Sequence, residues 1–237
     1  MGKTIIHLVR HAQGTHNLPN SDLSIQDPLL TAFGIEQCVA LSKKFPHPFK
    51  VTHLVSSPLR RTLYTTIYSF PEPISRGLEV IAHPLLQELS SLGADTGISP
   101  ILLASEFAGT KYASSIDLSH VSPDWNSKSG IYSSDAATID KRSLEARKWL
   151  RELGSKGEED KEIVVVTHGG FLHFLTQDWV GNEEIAERVK KGGYLFAGGE
   201  PTGWSNTEFR SYEFVEGDEE NAGLKELEES KERRKQN

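Results

Sequence analysis

The chain has 237 residues, 26 basic against 33 acidic, for a formal net charge of −7, which argues against nucleic acid or an anionic membrane as its main partner. That length suits one domain, or one core with a large insertion. The single cysteine, Cys38, excludes an internal disulfide and fits a reducing, cytoplasmic setting. No apolar run approaches the ~18 residues of a membrane span, and His7 and Arg10 interrupt the one stretch resembling a secretory signal.

Residues 3–9 read as a β-branched strand too apolar to leave one face wet, as in a parallel sheet covered on both sides. It stops at Arg10 and His11, so a buried strand delivers a cation and an imidazole to a turn-rich loop over 12–30. Such a strand end suits an anion site with a nucleophile in it. Thr31 caps a helix reaching Phe45, with Ile35, Cys38, Val39, Leu41 and Phe45 as its apolar stripe, and Pro46 and Pro48 end it. Residues 51–56 form a second buried strand. Ser57 and Pro58 then open a helix, serine as N-cap and proline at the first helical position. That helix runs through Phe70 to the stop at Pro71 and Pro73; a third strand covers 78–82, and Pro84 leads the chain off the sheet towards Gln87 and Glu88.

Between about 90 and 136 periodicity weakens, with one short helix expected at 99–108. A stretch this long without strong elements reads as a lid. Its only basic residues, Lys111 and Lys128, stand against Asp95, Glu106, Asp117, Asp124 and Asp135, which makes it a poor dock for a second phosphate or a polyanion. A helix follows over 137–153, then the strand 162–167, which ends in His168-Gly169-Gly170 before an apolar helix over 171–180. A further helix is placed at 182–190 and a last strand, at a sheet edge, over 207–215. The charge-dense run over 217–237 is expected to be a solvated or disordered tail.

Strands alternating with helices predict a three-layer αβα sandwich with a mainly parallel sheet and an inserted lid, its ligand held at the carboxyl ends of the strands. Three strand ends carry Arg10-His11, Arg61 just inside the next helix, and His168. Two guanidiniums grip phosphate oxygens by their fork geometry, and two imidazoles supply a nucleophile and a neighbour for developing charge. A metal is not expected: His7 and His11, four apart on a strand, lie about 13 Å from one another, too far to share an ion.

In order along the chain, Arg10-His11-Ala12, Asn17, Leu30-Thr31 with Gly34 and Gln37, Ser57-Pro58-Leu59-Arg60-Arg61-Thr62, Leu86-Gln87-Glu88 and Val166-Thr167-His168-Gly169-Gly170 resemble the motifs of the histidine phosphatase superfamily, its phosphoglycerate-mutase-like branch. Alanine stands at position 12 where that family has glycine. The resemblance covers 3–215 and implies a phosphatase-type domain over 1–216, with no cofactor, acting on a small phosphorylated metabolite. By the same resemblance His11 becomes a phosphohistidine, Arg10, Asn17, Arg61, His168 and Gly169 hold the phosphate, and Glu88 is the acid and base. Arg60 falls at the variable position and is expected to face solvent. Gln13 either shapes the entrance or makes the turn, His16 contacts substrate or packs the loop, and Trp125 closes over substrate or anchors the lid. Leu89-Ser90-Ser91, where mutases of the family have Arg-His-Tyr, favours hydrolysis over a mutase; a silent phospholigand-binding protein is the remaining alternative.

Overall fold

The computed structural model describes residues 2–180, 182–190 and 202–235. Seven strands, β1 (Thr4–Arg10), β2 (Val51–Ser56), β3 (Val80–Ala82), β4 (Ile116–Asp117), β5 (Lys161–Thr167), β6 (Phe209–Phe214) and β7 (Leu224–Glu226), form one sheet in the order β4-β3-β2-β5-β1-β6-β7. The five strands β1 to β5 are parallel, and β6 runs antiparallel to β1. The helices are α1 (Ala32–Lys44), α2 (Arg60–Ser69), α3 (Pro71–Ser75), α4 (Pro100–Ala108), α5 (Ala136–Ser155), α6 (Gly169–Thr176), α7 (Glu183–Lys190) and α8 (Glu228–Lys235).

The central strands are apolar on both faces because both faces are covered. Alternation sorts them: Ile6, Leu8, Ile163 and Val165 pack with Ile139, Leu150 and Phe171 of α5 and α6. Val9, Val164 and Val166 pack with Leu41, Leu63, Ile67 and Leu103 of α1, α2 and α4. His7, on the second face, is a core residue; its Nδ1 lies 2.9 Å from Ser211 Oγ and its ring meets Phe45 edge-on at 5.0 Å.

Four local expectations need correcting. In α1 the buried stripe is Gly34, Cys38 and Leu41, continued by Phe45, whereas Ile35 and Val39 are 41% and 45% exposed; β-branched residues at i and i+4 made a stripe on the wrong flank. Helix α6 begins at Gly169 and stops at Thr176, where Gln177 turns left-handed with φ 57°. Strand β6 is no edge, since β7 pairs outside it. The segment after Gly217 is not a plain solvated tail: it supplies β7 and α8, with Ser230 buried and hydrogen bonded to Ser211 N at 3.0 Å, and Arg234 paired with Glu226 at 2.6 Å. A strand of three residues leaves no periodicity to read, and the final two positions of that segment lie outside the described residues.

Thr31 caps α1 as expected, Oγ1 accepting from Gly34 N at 2.9 Å, and it also donates to Gln13 Oε1 at 2.8 Å. Thr31→Ala is therefore expected to cost about 1 kcal/mol, within roughly 0.5–2, as a lower urea midpoint at unchanged m-value; no change in midpoint would deny the cap its role.

Candidate functional site

Register brings the site together. Arg10 pairs with Thr167 and Ser56 with Val166, so His11, Ser57 and His168 emerge from adjacent strand ends. The ladder continues one step beyond the strands, His11 N bonding Thr167 O at 2.9 Å and Ser57 N bonding Val166 O at 3.0 Å. The His11 and His168 rings consequently lie 5.2 Å apart.

The hydrogen bonds assign both imidazole tautomers. His11 Nδ1 lies 2.7 Å from Ala12 O, which only accepts, so Nδ1 carries the proton and Nε2 presents its lone pair. Burial, then Arg61, pushes the His11 pKa well below its usual value, which keeps the ring neutral. His168 Nδ1 receives Arg61 Nη2 at 3.1 Å, so its proton sits on Nε2, which donates to Ser57 Oγ at 2.9 Å. Burial and Arg61 hold His168 neutral as well. Ser57 is thus not the N-cap of α2, a place Leu59 takes; it is a site residue that fixes the second histidine.

Arg61 is fully buried, and its fork reaches Ala94 O, Asp95 Oδ1 at 3.0 Å and His168. Arg10 donates Nη1 to Trp204 O. The Nε of each guanidinium, and Nδ1 of His16, are buried without a hydrogen-bond partner. Arg60, expected to face solvent, does not: its Nε donates to Asp27 O at 3.0 Å, its main-chain N to Asp27 Oδ1 at 2.9 Å, and Nη1 lies 3.6 Å from Glu106. It clamps the buried Asp27 loop to α2 because the first turn of a helix turns adjacent residues to different neighbours, Arg61 inward and Arg60 along the surface.

Ala12 is completely buried and is not among the residues with positive φ, so alanine in place of the family glycine strains nothing here. Its amide donates to Thr65 Oγ1 at 3.0 Å. Gly14 has φ −93° and needs no glycine freedom, but a Cβ there would lie 2.6 Å from His16 Nδ1. It is a matter of space. Asn17 Oδ1 accepts from Gly14 N at 3.0 Å, and the Gln13 amide donates to Gln37 Oε1 at 2.8 Å. Gln13 therefore makes the turn, while the His16 ring stands 5.3 Å from that of His11.

Glu88 meets the site from the loop after β3. Its carboxylate accepts from Gly170 N at 3.3 Å and Phe171 N at 3.1 Å, the donors at the start of α6. Burial, with Asp95 adding to it, raises the Glu88 pKa to about 7, against the pull of Arg61 and the amide of Gly170. A carboxyl balanced there gives and takes a proton at neutral pH. Gly169 opens α6 beside His168, and Thr202 sits where its Cβ would stand.

Trp125 is fully buried and packs against Gly97, within the segment over 90–136. Five further residues shape the site: Asp95, Lys128, Thr65, Arg142 and Asn206, whose Nδ2 donates to His11 O at 2.8 Å. Polar residues in loops of weak periodicity give no sequence signal for which of them turn inward.

The described residues contain no helix long and apolar enough to cross a membrane. A family model, histidine phosphatase superfamily (branch 1), matches residues 6–190, and the chain belongs to that superfamily. No curated protein matches it. Among solved structures it is similar to Bacillus stearothermophilus YhfR, 15% identical with TM-score 0.55, over 94% of this chain and 95% of that one. It is also similar to a phosphoserine phosphatase variant from Entamoeba histolytica in complex with phosphoserine, 19% identical with TM-score 0.52, over 94% and 95% of the two chains. A mycobacterial glucosyl-3-phosphoglycerate phosphatase is 19% identical with TM-score 0.50, over 94% of this chain and 96% of its own. At such identities these likenesses bear on the fold.

Proposed function

We propose that the protein is a phosphatase that hydrolyses a small organic phosphate ester through a phosphohistidine on His11. One observation carries this reading: a neutral imidazole with its Nε2 lone pair available lies among three buried, unpartnered nitrogens, Arg10 Nε, Arg61 Nε and His16 Nδ1. Buried donors without acceptors are uncommon, and a phosphate dianion supplies acceptors for both guanidiniums.

In the proposed first step His11 Nε2 attacks phosphorus in line, the ester P–O bond breaks, and Glu88 gives its proton to the departing oxygen. Water then attacks the phosphohistidine, Glu88 takes back a proton, and orthophosphate leaves with the P–N bond broken. Arg10 and Arg61 stabilise the charge on the non-bridging oxygens in both steps, assisted by the amide of Asn17 and the hydroxyl of Ser57; no metal or cofactor enters. His168 acts by holding Arg61 and Ser57 in place. The proposed substrate class is a small phosphorylated metabolite in the cytoplasm; of the proteins named above, the Entamoeba one is a phosphoserine phosphatase bound to phosphoserine and the mycobacterial one a glucosyl-3-phosphoglycerate phosphatase.

The test is phosphate release from 4-nitrophenyl phosphate by the intact chain. We expect turnover that His11→Ala abolishes with the fold intact by circular dichroism. Release that survives His11→Ala would remove the nucleophile. Conversion of 3-phosphoglycerate to its isomer without release would make the protein a mutase.

A further inference from the structure

Helix α5 buries a cation that, among the described residues, no carboxylate pairs with. Arg142 is 1% exposed and donates only to main-chain carbonyls: Nη1 to Gln87 O at 2.7 Å and Leu85 O at 3.4 Å, and Nη2 to Glu88 O at 3.5 Å. Its Nε is buried without a partner. Taking a charge from water without a counter-ion is costly, so a long apolar side chain would serve a position of mere packing better. Burial draws the Arg142 pKa down to about 10, against the opposing pull of Glu88.

The three carbonyls belong to the turn that carries Glu88. That turn has few other ties: Thr167 Oγ1 donates to Leu86 O at 2.7 Å, Gln87 Nε2 donates to Trp125 O at 2.9 Å, and Lys128 Nζ lies 3.4 Å from Glu88 O. The same guanidinium stacks on Phe171 at 4.7 Å, and the Phe171 amide donates to Glu88 Oε1 at 3.1 Å. Arg142 therefore touches both the turn that carries the carboxyl group and the helix start that receives it.

We propose that Arg142 is a positioning residue that acts through Glu88, fixing its carboxyl group over the start of α6. This rests on the phosphatase reading above, in which Glu88 gives and takes the proton. The other charged groups around Glu88 are Asp95, held by Arg61 at 3.0 Å and by Ser90 Oγ at 2.6 Å, Arg61 of α2, Arg10 at the end of β1, and Lys128. Asp95 favours the acid form of Glu88 and the cations favour the carboxylate. Loss of Arg142 thus raises the Glu88 pKa above about 7 by two routes of one sign. A cation is removed, and a carboxyl group freed from the amides of Gly170 and Phe171 loses donors that stabilise its ionised form.

The experiment titrates Glu88 in the intact chain by NMR of isotope-labelled glutamate carboxyls, its signal being the one absent from Glu88→Gln. The titration is repeated in Arg142→Met, in Arg142→Gln, which keeps a donor for the carbonyls without the charge, and in Arg142→Lys, with circular dichroism to check each fold. A rise of about one pH unit or more is expected in Arg142→Met and Arg142→Gln, and Arg142→Lys, which retains a cation, stays nearer the intact chain. An unchanged or lowered value in whichever uncharged variant folds overturns the proposal. The kinetic counterpart compares 4-nitrophenyl phosphate with phenyl phosphate, whose poorer leaving group depends more on the proton. In the phosphorylation step Arg142→Gln slows phenyl phosphate about tenfold or more relative to 4-nitrophenyl phosphate, part of the roughly 10²–10⁴-fold effect of a placed acid. Equal slowing of the two esters, the outcome of a purely structural loss, overturns it. Because the titration is read without turnover, failure of the intact chain to release phosphate from 4-nitrophenyl phosphate would count against the phosphatase reading separately.

Discussion

Arg61→Ala is expected to lower kcat/KM for 4-nitrophenyl phosphate by about 10²–10³-fold, the scale of removing one preorganised charge-stabilising donor, whereas Arg60→Ala leaves it within about threefold and lowers stability by roughly 1–3 kcal/mol. The two arginines are adjacent in sequence and alike in charge, so composition cannot separate them; the geometry does. Arg61 is fully buried, touches His168 and keeps an unpartnered Nε. Arg60 serves Asp27: when the guanidinium goes, the Asp27 carbonyl loses its hydrogen bonds from Nε and Nη2 and the buried carboxyl loses an ion pair at 3.8 Å, while the bond from Arg60 N to Oδ1 stays. Steady-state kinetics with a parallel urea titration separates the effects. Comparable kinetic losses, or the larger one in Arg60→Ala, would mean that the wrong guanidinium has been assigned to the phosphate.

The second large effect depends on the leaving group. Glu88→Gln is expected to slow an alkyl phosphate by about 10²–10⁴-fold and 4-nitrophenyl phosphate far less in the phosphorylation step, because nitrophenolate departs without a proton. The pH dependence follows from the Glu88 pKa of about 7. That value lies above the ordinary carboxyl value, so the proton is present below about pH 7 and lost above it. Alkyl phosphate turnover, which needs the acid form, falls as pH rises through 7. Turnover limited by water attack on the phosphoenzyme, which needs the carboxylate, falls as pH drops through 7. Glu88→Gln removes the alkyl limb. Equal slowing of both substrates, or profiles of the same sense for both, would take Glu88 out of the acid role.

Much of the sheet was legible because β-branched apolar runs such as 161–167 have no other use than a strand covered on both sides. The site's frame was legible for a related reason: Arg10, His11 and His168 stand where apolar runs stop, and register does the rest. Short elements escaped. Strand β4 has two residues and β7 three, less than one period of anything, and both are recruited by neighbours rather than by their own pattern. The error at Ser57 has a chemical origin, since a serine before a proline is as good an N-cap as it is an imidazole acceptor, and only the His168 ring 2.9 Å away decides between them. Lys128 and Asp95 are single residues in irregular backbone, and which way each turns is set by Trp125, Gln87, Arg61 and Ser90, all distant in sequence or indistinguishable there from surface residues.

His11 is the proposed phosphoryl acceptor. Mixing the intact chain with 4-nitrophenyl phosphate, quenching within a turnover into alkali and locating the label by peptide mass mapping tests this most directly. One phosphoryl group on His11, formed and lost at rates competent for turnover and absent from His11→Ala, is the result the geometry predicts. Turnover with no phosphoenzyme, or the group on another residue such as Ser57, would contradict it.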